Sequence, residues 1–88
     1  MLSLFRRSRA EERRQAEAVK PWVRAALGLA EDVAVSVSEI QCGDVRCPGL
    51  ETVILVMRPG ERTAIYKIAM PLRDVGEAAV VDALSPLT

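Results

Sequence analysis

Seven consecutive residues, Glu51-Thr-Val-Ile-Leu-Val-Met57, limit what this chain can fold into. The stretch is short, rich in β-formers and bounded by Pro48-Gly49 and Pro59-Gly60, which marks a strand rather than a helix. Alternation places Val53, Leu55 and Met57 on one side and Ile54 and Val56 on the other. A strand that is apolar on both sides belongs at the centre of a sheet with both faces covered. The chain has only 88 residues to build such a sheet. That is one small domain with a thin core. Aromatic residues are limited to Phe5, Trp22 and Tyr66, so the core must be Val, Ile, Leu and Ala.

The neighbouring segments supply the rest. In Val33 to Cys42, Val33, Val35 and Val37 alternate with Ala34, Ser36 and Ser38, a strand with one apolar and one small, polar face. Arg58-Pro59-Gly60-Glu61 has the residues of a tight turn, and Thr63 to Ala69 reads as a third strand. Helix is predicted at both ends. Ser8 and Glu11 form a capping-box pair ahead of residues 9–19. Pro21 is predicted to kink or break that helix, with a second segment running to about Leu29 on a stripe of Trp22, Val23, Ala26, Leu27 and Ala30. Asp74 is the expected N-cap of a closing helix with Val80, Val81 and Leu84 on its apolar stripe and Gly76 inside it. Short links between consecutive strands favour an antiparallel meander. The expected fold is therefore α+β and two-layered: a three-stranded antiparallel meander with both helices on one face. Residues 1–20 are read as a basic helical arm and residues 21–88 as the single α+β domain.

Two helices on one face leave the other face of residues 51–57 to be covered either by the basic N-terminal helix or by another chain. An exposed apolar face of that size marks a contact surface. The interaction surface is assigned to Ile54 and Val56, and a homodimer or another protein partner is expected there.

The charge is lopsided. Residues 1–24 carry seven Arg or Lys against three Glu, and the remainder carries five basic against nine acidic groups, so a zero net charge hides a basic arm and an acidic body. Arg6, Arg7, Arg9, Arg13 and Arg14 are the candidate contact residues of that arm. Interleaved Glu11, Glu12 and Glu17 favour a solvated helix over a phosphate-binding surface, and the scarcity of aromatic rings removes the stacking platforms of single-strand binders. The reading is therefore against nucleic acid. No apolar run reaches the roughly 18 residues of a membrane span. The Arg-rich opening has the look of an organelle presequence, but Glu11 and Glu12 break the acid-poor pattern, so the cytoplasm is the expected location.

Cys42 and Cys47 flank a loop between the first two strands. Three readings stay open for them. As small apolar side chains they would be buried and inert. As a redox pair they would cycle between dithiol and disulfide, although the spacing is not Cys-x-x-Cys and Arg46 is the sole adjacent cation. As ligands they would supply half of a tetrahedral zinc or iron–sulfur site, completed by Asp44 or by a second chain. No cofactor at all is the preferred expectation.

The run Cys42-(four residues)-Cys47-Pro48-Gly49-Leu50-Glu51-Thr52-Val53-Ile54 resembles a signature of small uncharacterised bacterial proteins of about this length. Tyr66-Lys67-Ile68, Pro71-Leu72 and Asp74-Val75 resemble their second block. The likeness covers roughly residues 33–82 and departs at Met70, where those proteins are expected to carry a second lysine. It implies the fold and no activity. Names tied to nitrate metabolism occur among them, but 88 residues with two cysteines cannot house a molybdenum or haem reductase.

The chain has no histidine, which removes the commonest general base and zinc ligand. It has no Gly-rich phosphate loop and no nucleophile elbow. These absences point away from an enzyme and toward a small domain that works by association, with thiol-dependent redox or metal delivery through Cys42 and Cys47 as the alternative.

Overall fold

A computed structural model of the protein describes residues 9–41 and 49–85. Element order is α1 (Arg9–Leu27), β1 (Ala34–Gln41), β2 (Leu50–Met57), β3 (Ala64–Ile68), a 3-10 turn (Leu72–Asp74) and α2 (Glu77–Leu84). The strands form one antiparallel sheet in the order β1-β2-β3. Both helices lie on the same face, α1 over β1 and α2 over β3, and they touch each other. The α+β meander expected from the sequence is the fold.

The break expected at Pro21 does not occur: α1 runs through it as one helix. The buried stripe is Ala16, Val19 and Val23, with Leu27 and Trp22 partly buried beside it, and it continues across the proline. Breaking the helix there would split that stripe. Pro21 itself is exposed, so its missing N–H and the crowding of its ring fall on the solvent side, where long helices already bow outward. Residues 20 and 21 thus sit inside one element, and Ala16 and Val19 from the N-terminal segment belong to the core. Ala26 and Ala30 of the anticipated stripe are exposed. Ser8, the anticipated N-cap, lies outside the described residues.

The helix ends at a Schellman-type stop. Gly28 takes a left-handed φ of 62°, and Leu29 N–H donates to the Arg24 carbonyl at 3.1 Å. Arg24 then closes the connection to β1, its guanidinium donating to the carbonyls of Ala30 (3.2 Å) and Val33 (2.6 Å). The β2–β3 turn is type II in character: Gly60 has φ 74° after Pro59, and Glu61 N–H donates to Arg58 O at 3.1 Å.

The closing helix also starts later than anticipated. Asp74 ends the 3-10 turn, and Gly76 is the N-cap of α2, its carbonyl accepting from Val80 N–H at 3.2 Å. Gly76 therefore costs little, because glycine is tolerated at an N-cap and not in a helix interior. Val80 and Leu84 enter the core, whereas Val81 is half exposed.

Candidate functional site

The register decides which sheet face the helices leave uncovered among the described residues. Val35 pairs with Val56 and Val37 with Ile54, so the valine face of β1 and the even-numbered residues of β2 share one side. That side lies under the helices. Ile54 and Val56 are completely buried in the core with Val35, Ile68, Val19, Val23 and Val80. The assignment of Ile54 and Val56 to an interaction surface is therefore corrected: the helices cover them.

The open face carries the other parity. Ser36 stands opposite Leu55, and Leu55 opposite Ile65; Ser38 stands opposite Val53, and Val53 opposite Lys67; Ala34 pairs with Met57 and Ile40 with Glu51. Val53, Leu55 and Met57 are only partly buried and do not pack against the core cluster. Ile65 is 60% exposed and Ile40 41%. An antiparallel sheet with one solvated face normally turns polar side chains outward. Here β1 obeys that rule with Ser36 and Ser38, while β2 and β3 break it with Val53, Leu55, Met57 and Ile65. The result is an apolar patch centred on Leu55, with the serines along one margin and Glu51 and Lys67 toward one end.

At that end the covered face is polar. Glu39, Thr52 and Ile68 are in register across the three strands. The Thr52 side chain is fully buried, and its hydroxyl donates to the Met70 carbonyl at 3.0 Å. Leu72 N–H donates to Glu39 Oε2 at 2.9 Å, so this carboxylate caps the 3-10 turn where Pro71 offers no side-chain cap. Thr52, read from sequence as a strand former, thus also ties β2 to the segment leading into α2. A threonine in an otherwise apolar strand was the available signal.

Arg9, Arg13 and Arg14 are exposed on α1. Arg13, Arg14, Glu17 and Ala18 line an open depression on the helix. Glu17 accepts from Lys20 Nζ at 2.8 Å, which places a mixed-charge surface where a purely basic one would suit phosphate. Arg24 is committed to the α1–β1 connection. Arg6 and Arg7 lie outside the described residues.

Cys42 and Cys47 also lie outside the described residues, as do Asp44 and Arg46. The flanking strands are paired up to Gln41 and Leu50, so the cysteine-bearing connection leaves and re-enters the sheet at neighbouring positions. Among the described residues, no group of three or more His, Cys, Asp or Glu side chains is placed to hold a metal ion, and no helix is long and apolar enough to cross a membrane. Compared with known proteins, the chain matches no family model, no curated protein and no solved structure.

Proposed function

We propose that this protein is a small, non-enzymatic association domain whose working surface is the open sheet face centred on Leu55. The observation that carries the proposal is the apolar row Val53, Leu55, Met57 and Ile65 on the side away from both helices. Exposed apolar side chains cost solubility and do nothing for the helix-covered core, so their natural use is contact with another polypeptide. The double variant Leu55→Ser, Ile65→Ser tests this. It is expected to leave the urea unfolding transition within about 1 kcal/mol of the parent, as for surface changes, while abolishing complexes captured by chemical cross-linking of the full chain. A loss of stability of the size seen for core truncation would mean that the face is filled from within, and would overturn the proposal.

A second reading, thiol chemistry at Cys42 and Cys47, is favoured by the pairing of Gln41 with Leu50, which brings the two ends of the cysteine connection together. Its branches are a redox pair and a zinc or iron–sulfur carrier. Intact mass with and without reductant, with metal analysis of protein purified without chelator, separates them. Thiols that alkylate only after unfolding, with no copurifying metal, would sink both.

A further inference from the structure

We infer that the occupant of the open face is a second copy of this chain, packed sheet against sheet about a two-fold axis near Leu55. The inference rests on the association reading above and names its partner. Two observations favour a second copy, and a third sets its strength. The first is charge. Within the patch the ionisable groups are one acid, Glu51, and one base, Lys67, so the face itself carries no net charge and two copies of it meet without repulsion across it. A strongly acidic or basic partner finds no matching field there.

The second is placement. Glu51 and Lys67 lie toward the Gln41–Leu50 end of the sheet, away from the Leu55–Ile65 and Met57 rows. A two-fold axis through Leu55 sets the apolar rows on themselves and leaves both charges at the rim, where they stay hydrated. The serines of β1 are small enough to let the second sheet approach. Face-to-face sheets pack with strands within roughly 30° of each other.

The third is area. Strands of eight, eight and five residues, about 4.8 Å apart with a rise of about 3.3 Å per residue, make a footprint of about 330 Å². Two such faces bury on the order of 700 Å², below the roughly 1,200 Å² at which stable interfaces begin, so the contact is a weak, reversible one. The dimer is therefore expected to be weak and concentration-dependent. The chain's own N-terminal segment is a poorer occupant. Its large apolar residues are Leu2, Leu4 and Phe5, and α1, from which they extend, packs on the other side of the sheet.

Sedimentation velocity of the full chain from low micromolar to millimolar concentration tests this, run beside Leu55→Arg and the control Val81→Arg on the exposed side of α2. The expected result is a reversible monomer–dimer equilibrium that Leu55→Arg weakens by roughly 30-fold or more, with Val81→Arg unchanged and circular dichroism the same for all three. A dimer that survives Leu55→Arg would overturn the inference and point to pairing at a sheet edge. A monomer at every concentration that binds an apolar fluorescent dye, with binding lost in Leu55→Arg, would overturn the second copy while leaving the association surface standing. A monomer with no dye binding, gained only on deletion of residues 1–8, would overturn both and assign the face to the N-terminal segment.

Discussion

The two faces of β2 differ in a way that their composition does not foretell. The side under the helices holds Thr52, Ile54 and Val56, one of them polar, and all three are completely buried. The open side holds Glu51, Val53, Leu55 and Met57, one of them charged, and all four are partly exposed. Each side thus mixes apolar residues with one polar or charged residue, yet only one side is in the core. The difference lies in what each side meets. Ile54 and Val56 meet Val37 and Val35, Tyr66 and Ala64, and then two helices. Thr52 is admitted because its hydroxyl has the Met70 carbonyl to bond. A buried polar group with a partner costs little, and an apolar side chain without a covering layer gains little. Burial follows from register and coverage rather than from residue type.

The most severe test of this contrast is a matched pair. Ile54→Ala is expected to destabilise by about 2–4 kcal/mol, as buried Ile truncations do. Leu55→Ala, one residue along, is expected to cost under about 1 kcal/mol at concentrations where the protein is monomeric. Urea denaturation of both at low micromolar concentration measures the gap, and equal losses would erase the distinction between the faces.

Next in size is Thr52→Val. It keeps the shape and removes the hydroxyl, leaving the part-buried Met70 carbonyl without this donor, at an expected cost of about 1–2 kcal/mol. The reverse change on the open side, Val53→Thr, is expected to be neutral within about 0.5 kcal/mol. If the two substitutions cost the same, the hydroxyl contact is not what admits Thr52.

Gly28→Ala probes the stop that turns α1 back toward β1. An alanine at φ 62° has open space around its Cβ but a disfavoured backbone, so the loss should be about 1 kcal/mol and purely conformational. Thermal unfolding beside Gly28→Asn, which tolerates the left-handed region better, should rank glycine first, asparagine second and alanine last.

A gain rather than a loss is expected at Pro21. Pro21→Ala restores a backbone donor on the exposed side of an unbroken helix and should raise stability by about 1 kcal/mol, below the roughly 3 kcal/mol helix-interior difference because the surroundings have adapted. Amide exchange sharpens the same point. Val19 and Val23, on either side of the proline, should exchange slowly and at similar rates, and fast exchange confined to residues before 21 would show that the helix works as two pieces.

Much of the fold was legible in local pattern. The valine–serine alternation of β1, the Pro59-Gly60 turn and the two-sided apolarity of β2 were sufficient for an antiparallel meander, because each depends on period-2 geometry or on the φ preferences of proline and glycine. The course of α1 was not legible at Pro21, where a local rule met a buried stripe that spans it. Nor was the start of α2. Asp74 looks like an N-cap in sequence, but the chain spends residues 72–74 on a 3-10 turn capped from 33 residues away by Glu39.

The sequence by itself determined the element types, their order, the one-domain size and the presence of more apolar strand surface than two helices can cover. Those properties follow from composition and short-range periodicity. Only the tertiary structure decided which surface was left over. The pairing of Gln41 with Leu50 fixes the register of β1 on β2, and a shift of one residue would exchange the two faces of β2. That register, set by contacts between segments distant in the chain, is why Ile54 lies under the helices and Leu55 faces outward.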